Sequence, residues 1–258
     1  MKVVILAGGL GTRISEESFF RPKPMIEIGG KPILWHIMKI FSKYGYNEFI
    51  ICCGYKQDVI KQWFADYYLY NSDITFDFTD GKKETIIHTE KLEPWKVSVV
   101  DTGLHTMTGG RIKRIAPYIG NEPFFLTYGD GVADVNIDDL LDFHRKHQQM
   151  ITVTCAQPRG RFGAVEINEE GIVTNFREKT RENSGWVNAG FMAAEPGIMD
   201  LIEDDDTVFE QYPLEECARR NELNAYRHHG FWQCMDTMRE KEALEKMWDS
   251  GEAPWKVW

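Results

Sequence analysis

Three glycines within four positions follow an unbroken apolar run at the start of the chain, Lys2-Val3-Val4-Ile5-Leu6-Ala7-Gly8-Gly9-Leu10-Gly11-Thr12-Arg13. An apolar, β-branched run without polar alternation predicts a strand buried on both faces of a parallel sheet. The glycine turn that ends it lets the backbone take positive φ and lets N–H groups approach an anion with no Cβ in the way. Arg13, and Lys23 within Arg21-Pro22-Lys23-Pro24, add two fixed cations. Buried strand, glycine loop and paired cations describe a polyphosphate site.

Two common phosphate loops fail against these residues. A dinucleotide fingerprint needs a glycine three positions after Gly11, where Ile14 stands, and no strand-end acid follows at the usual distance. A P-loop needs Gly-Lys-Ser/Thr, but Gly30-Lys31 is followed by Pro32. The run Leu6-Ala7-Gly8-Gly9-x-Gly11-Thr12-Arg13, with Pro22-Lys23 further on, instead resembles the signature of nucleotidyltransferases that make nucleoside-diphosphate sugars.

The chain of 258 residues has room for one large domain with a substantial core. No run approaches the roughly 20 apolar residues of a membrane span, and no signal peptide is visible, so no membrane partner and a cytoplasmic location are expected. Five cysteines include the adjacent pair Cys52-Cys53 in an apolar run; without CxxC spacing they read as reduced core thiols. A net charge of −10 argues against nucleic acid as a partner. Anionic substrates then require cations gathered locally, because charges more than about 8 Å apart in solvent are largely screened. The run Glu203-Asp204-Asp205-Asp206 reads as a solvated helix end.

Strand and helix patterns alternate along the chain. Pro32 is placed at a first helical position, the apolar stripe Ile33, Leu34, Ile37, Ile40 and Phe41 follows, and Gly45 ends that helix. Residues 48–53 read as a buried strand, 57–68 and 111–118 as helices, and 124–127 as a strand. Residues 74–101 read as short antiparallel strands inserted on that plan, 151–193 as strand-rich, and 236–248 as a final helix. The expected fold is α/β, a doubly wound, mainly parallel (Rossmann-like) sheet with small antiparallel insertions and ligands at the carboxyl ends of strands. One domain is expected over 1–258, with 1–135 mainly nucleotide-binding and 136–258 mainly sugar-binding and C-terminal helical.

A second constellation, Tyr128-Gly129-Asp130-Gly131, follows the strand ending at Thr127. An acid framed by glycines at a strand's carboxyl end can hold a metal over the ligand crevice, or can simply be a turn aspartate. Magnesium at a phosphate site takes one or two carboxylates, so Asp130 needs a partner. The candidate is Asp236, whose competing reading is the N-cap of the last helix. Asp134, Asp138 and Asp139 lie further from the strand end.

Within the sugar-nucleotidyltransferases, Ile14-Ser15-Glu16-Glu17-Ser18 departs from the pattern of uridylyl- and thymidylyltransferases and is similar to that of cytidylyltransferases acting on glucose 1-phosphate. Further similar stretches include Gly29-Gly30-Lys31-Pro32, Val100-Asp101-Thr102-Gly103, Met107-Thr108-Gly109-Gly110-Arg111 and Gly230-Phe231-Trp232-Gln233, and the similarity spans the chain. It departs at Cys234, where proline is expected, and at Arg177-Glu178-Lys179-Thr180, where proline usually follows the lysine. The resemblance implies CTP and glucose 1-phosphate as substrates and Mg²⁺ as cofactor. It implies a nucleotide site of Leu6, Ala7, Gly8, Gly9, Leu10, Gly11, Thr12, Arg13, Lys23, Thr106, Arg111 and Gly129, in which Thr106 and Arg111 read the base. Arginine donates only, which suits the O2 and N3 acceptors of cytosine. Asp130 and Asp236 would hold the metal; Gly163, Glu178, Lys179, Asn188 and Gly190 would meet the sugar phosphate. Arg13, Lys23, Asp130 and Asp236 are the implied catalytic residues, with no enzyme nucleophile. Relatives of this kind assemble as homo-oligomers, a hexamer being implied, and feed 3,6-dideoxyhexose synthesis for bacterial surface polysaccharide. Readings left open are another nucleotide or sugar phosphate, an alditol or aminoalcohol phosphate as acceptor, and a catalytically silent nucleotide-binding subunit.

Overall fold

The structure, a computed structural model, describes residues 1–11, 14–81, 83–90, 92–158, 164–167, 173–177 and 185–258. The chain opens with β1 (Lys2–Ala7), α1 (Ser15–Ser18), a ribbon of β2 (Glu27–Ile28) and β3 (Lys31–Pro32), and α2 (Ile33–Lys43). Then come β4 (Glu48–Cys53), α3 (Gln57–Ala65), α4 (Tyr67–Tyr70), the hairpin β5 (Ser72–Asp77) and β6 (Glu84–Glu90), and β7 (Lys96–Asp101). The middle holds α5 (Thr108–Arg114), α6 (Ala116–Ile119), β8 (Phe124–Tyr128), β9 (Gly131–Ala133), α7 (Ile137–His147) and β10 (Ile151–Ala156). Next are β11 (Ala164–Ile167), β12 (Val173–Arg177), β13 (Val187–Asn188) and β14 (Met192–Ala194). The chain closes with α8 (Tyr212–Arg219), β15 (Leu223–His228), β16 (Trp232–Cys234) and α9 (Met238–Asp249).

The central sheet runs β13-β10-β14-β8-β1-β4-β7, with β15 also pairing β10. β8, β1, β4 and β7 are mutually parallel, and β14 joins them antiparallel through β8. The apolar β1 behaves as its pattern dictates. Val3, Ile5 and Ala7 enter one core with α2, α7 and α9, and Val4 and Leu6 enter the other with α5, α6 and α8. Both faces are covered, which is why no polar alternation interrupts the strand. Its register pairs Ala7 with Cys53 and Leu6 with Tyr128, and Cys53 in turn pairs with Asp101. The carboxyl ends of four parallel strands therefore finish at one level.

Several boundaries differ from the pattern reading. Pro32 is the N-cap of α2, so the helix starts at Ile33, one residue later than expected. The 57–68 helix breaks at Asp66, and the 111–118 helix starts earlier and breaks before Pro117 at Ile115. The largest correction is β7. The sequence pattern groups it with the antiparallel insertion, yet it pairs parallel with β4 and completes the central sheet, so β5 and β6 alone form the inserted hairpin. The 203–206 run is exposed, as expected, and follows a 3₁₀ helix that ends at Leu201. It is a turn packed on α5, with Asp205 paired to Arg114 and the Asp205 carbonyl accepting from Met107 N at 2.8 Å. All five cysteines are free thiols, and burial pushes Cys52 and Cys53 above the ordinary thiol range.

His36, fully buried, fastens the C-terminus to α2. Its Nε2 donates to Ile28 O at 2.9 Å, while Nδ1 accepts from Trp255 Nε1 at 3.3 Å, and Trp248 stands edge-on at 4.7 Å. A second proton on Nδ1 would face the Trp255 donor. Burial in this apolar cage, with a smaller push from Lys256, pulls its pKa down to about 4. The unfolded chain, with an ordinary histidine near 6.5, then binds more protons than the folded one, so His36 stabilises the fold above pH 6.5 and loses that contribution as pH falls towards 4. The loss should reach about 3 kcal/mol. Urea unfolding between pH 7 and 4.5 should show it, and His36→Gln should flatten that part of the profile.

Candidate active site

A cavity of about 380 Å³ opens at the level strand ends. Its floor is the loop after β1, with Leu6, Ala7, Gly8, Gly9 and Gly11 on the wall; Lys23, Pro24, Thr106, Arg111, Tyr128, Gly129 and Asp130 also face it. Leu10 does not line it and is half exposed. Gly11 takes φ +66°, which a side chain would oppose, and its carbonyl accepts from Ser18 Oγ at 2.8 Å. Thr12 and Arg13 lie outside the described residues, as do Gly163, Glu178 and Lys179 of the expected sugar-phosphate set.

Arg111 braces the loop from behind. Its Nη1 donates to Cys53 O, Thr102 Oγ1 and Gly103 O at 3.1, 2.8 and 2.7 Å. Its Nη2 donates to Gly8 O at 3.2 Å and Leu104 O at 3.4 Å. Base reading by Arg111 therefore requires one of these bonds to be exchanged. A Cβ at Gly8 would run into this guanidinium, so the glycine is needed for close approach here.

Lys23 sits between the two carboxylates singled out in the sequence. It donates to Asp130 Oδ2 at 2.6 Å and also pairs with Asp236 Oδ1, across 107 and 213 residues of chain respectively. Burial pulls the ammonium down, but Asp130 and then Asp236 outweigh it and hold Lys23 above the ordinary lysine value. The N-cap reading of Asp236 is overturned. Thr237 is the N-cap of α9, in a reciprocal box with Glu240, which leaves the Asp236 carboxylate to the cavity side.

Both carboxylates ride on a two-stranded ribbon. Asp130 precedes β9, Asp236 follows β16, and these strands pair antiparallel with Gly131 opposite Cys234. Met235 N donates to Asp130 O at 2.8 Å, closing that end. At the other end Asp134 Oδ1 accepts from Phe231 N at 2.6 Å and from His228 Nε2 at 2.9 Å. Cys234, in the expected proline position, is thereby held by β9 and donates weakly to Asp236 Oδ2 at 3.7 Å. Two carboxylate oxygens converging on one cation, beside a phosphate-type loop, are the hard-oxygen donors that Mg²⁺ takes, so these residues fit such an ion.

Asn188 and Gly190 reach the same cavity through Tyr128. Asn188 Nδ2 donates to the Tyr128 hydroxyl at 3.1 Å, and its Oδ1 accepts from Gly190 N at 2.9 Å. The sequence reading missed Tyr128 as a wall residue, and it missed Thr108 and Glu210, which bond around it. No spacing rule joins Thr108 to Glu210, although Thr108 stands in the Met107-Thr108-Gly109-Gly110-Arg111 stretch and Tyr128 in the Tyr128-Gly129-Asp130-Gly131 constellation.

The nucleotidyl transferase family model matches residues 2–232. The chain belongs to that family. Two bacterial relatives match it end to end: the glucose-1-phosphate cytidylyltransferase of Salmonella typhi, at 53% identity over 100% of both chains, and the probable glucose-1-phosphate cytidylyltransferase of Bacillus subtilis, at 43% over 100% of both. Among solved structures, UDP-glucose pyrophosphorylase complexed with UDP-glucose shares the fold at a TM-score of 0.68 and 16% identity, covering 97% of this chain and 98% of that one. Because the loop and Arg111 meet without slack, Gly8→Ala should displace the guanidinium and cost about 1–3 kcal/mol of stability. Urea unfolding would measure that cost, and a nucleoside triphosphate titration should show weakened binding.

Proposed function

We propose that this chain transfers the cytidylyl group of CTP to α-D-glucose 1-phosphate, giving CDP-glucose and pyrophosphate. The observation that carries this reading is full-length identity of 53% to a glucose-1-phosphate cytidylyltransferase, on a chain whose cavity joins a glycine loop, Lys23 and Asp130, with Asp236 paired to Lys23. The loop N–H groups from Gly8 to Arg13, with Arg13 and Lys23, hold the triphosphate. Thr106 and Arg111 face the base; Glu178, Lys179, Asn188 and Gly190, with Gly163, take the sugar phosphate. The sugar-phosphate oxygen attacks the α-phosphorus in line, the bond to the bridging oxygen breaks, and pyrophosphate leaves without a covalent enzyme intermediate. Catalysis is then mostly positioning and charge neutralisation. Asp130 and Asp236 are the residues to hold Mg²⁺, which when bound offsets charge on the phosphate oxygens.

The same reading makes 1–258 one domain working in the cytoplasm in the supply of nucleotide sugar for bacterial surface polysaccharide. Among the described residues no helix is long and apolar enough to cross a membrane. A homo-oligomer, a hexamer by resemblance, is supported by the projecting β5–β6 hairpin, where Phe76, Phe78, Ile86 and Ile87 are exposed. Sedimentation velocity should show a species larger than one chain.

Pyrophosphate release, measured for each nucleoside triphosphate against a panel of sugar 1-phosphates and alditol phosphates, tests the reaction. CTP with glucose 1-phosphate should be the preferred pair, and a preference for UTP, dTTP or another acceptor would overturn the substrate assignment. Asp130→Asn and Asp236→Asn should each remove most turnover while circular dichroism stays native. Loss confined to the Asp130 variant would make Asp236 a structural partner of Lys23.

A further inference from the structure

Two distant segments of the chain are joined through the cavity residue Tyr128. One, from Thr106 to Arg111 at the start of α5, lines the cavity; the other, Asn188 to Gly190 at the end of β13, is bonded to the Tyr128 hydroxyl. Between them lies Glu210, in the turn before α8. Its Oε2 accepts from the Thr108 hydroxyl at 2.6 Å and its Oε1 from the Tyr128 hydroxyl at 2.7 Å. The turn carrying it is already fastened to α5, because Thr207 O accepts from Gly109 N at 2.9 Å and Thr108 Oγ1 accepts from Phe209 N at 2.9 Å. Burial and the neighbouring Glu210 push the Tyr128 phenol well above its ordinary pKa, so it remains a donor.

The direction of each bond follows from the carboxylate. An ionised carboxylate accepts only, so both hydroxyls must give their protons to Glu210. Having donated, the Tyr128 oxygen is left as an acceptor and takes the Asn188 amide Nδ2 at 3.1 Å. That fixes which way the Asn188 amide faces, with Oδ1 turned back to Gly190 N at 2.9 Å. The same short segment is gripped from the metal-ribbon side, where Trp232 Nε1 donates to Ala189 O at 2.9 Å.

We infer that Glu210 is a positioning residue that sets the acceptor segment Asn188 to Gly190, held through Tyr128, against the nucleotide wall at Thr108 by receiving both the Thr108 and Tyr128 hydroxyls. This rests on the cytidylyltransferase reading and adds to it how the two substrate sites are kept in register. A glutamine at this position offers one acceptor and one donor, so one of the two hydroxyls must turn. An aspartate has the charge but is one methylene short of spanning both.

Glu210→Gln, Glu210→Asp and Tyr128→Phe are the variants to compare, the last removing only an oxygen and keeping the ring. With CTP saturating, each should raise KM for glucose 1-phosphate about tenfold, the scale of one lost hydrogen bond to a charged group. KM for CTP should change less than about threefold, since the Thr108 side stays fastened by Phe209 N to Thr108 Oγ1 and Gly109 N to Thr207 O when the Glu210 bond is lost. The double variant Glu210→Gln/Tyr128→Phe should be no worse than the poorer single one, because both cut the same chain of bonds. Equal rises in both KM values, multiplicative effects in the double variant, or an unchanged acceptor KM would overturn the inference. If Glu210→Gln melts far below the parent, Tyr128→Phe decides the matter alone. A parent protein that releases no pyrophosphate from CTP with any sugar 1-phosphate would overturn the underlying reading and the inference with it. An active parent whose variants keep its KM values overturns the inference only.

Discussion

The Arg111 guanidinium joins loops that leave three adjacent parallel strands, through Gly8 O after β1, Cys53 O at the end of β4, and Thr102 and Gly103 after β7. Loops at the carboxyl ends of buried strands carry backbone carbonyls with no ladder partner, and each one left unpaired away from water costs about 1–3 kcal/mol. One planar side chain with a fork of donors meets several at once. Burial lowers its pKa, yet arginine stays charged, so a cation is fixed beneath the glycine loop. The loop's carbonyls are thereby turned inward. Its N–H groups are left for an anion, and no reorganisation of the loop is needed when charge develops there.

A net charge of −10 on a protein for anionic substrates is resolved by the same economy of placement. Asp130 and Asp236 would repel each other if left alone at the cavity edge. The β9–β16 ribbon holds them together, and Lys23 between them supplies the compensating charge. Removing one member of such a buried cluster leaves the others uncompensated, which is costlier than the pair is stabilising. The three groups therefore act as a unit, and their summed charge matters less than the fact that the acids are gathered at a cation and not spread over the loop.

What the sequence disclosed was what local chemistry determines. β1 could be read because an apolar run admits few alternatives, and the glycine loop because its phosphate chemistry needs glycine at set positions. Asp130 could be read because it stands at a strand end. The hairpin's neighbour β7 could not. A half-buried strand, Lys96–Asp101, carries no mark that tells an insertion from a sheet edge, and its place is decided by pairing with β4 some fifty residues earlier. Asp236 stood as the N-cap candidate of the last helix, and the reciprocal bonds between Thr237 and Glu240 give that place to Thr237 instead. Arg111 was legible as a site residue while its partners were not, because all but one are backbone oxygens and a carbonyl has no signature in sequence. Glu210 was invisible for a related reason. Its two partners lie 102 and 82 residues away, and neither spacing has a period.

β8 is the element on which these arrangements converge. Its last residue, Tyr128, packs towards the layer of α5 and α8 and bonds to Glu210 there. Two positions later Asp130 points to Lys23 and the ribbon on the other side. A parallel strand covered on both faces must send successive side chains into opposite layers. At the point where such a strand ends, both layers can place side chains over a single crevice. Tyr128 and Asp130 are two residues apart, which an unbroken strand would put on one face, but β8 ends at Tyr128 and the turn at Gly129 redirects the chain. Gly129, whose N–H pairs with Leu6 O at 2.9 Å and where a Cβ would crowd Leu6 O and Pro24, lets the chain cross between the two layers without lifting from β1. The Glu210 side and the Lys23 side of the cavity are thus tied to one span of three consecutive residues. A transfer between two bound phosphates depends on how such groups are held relative to one another.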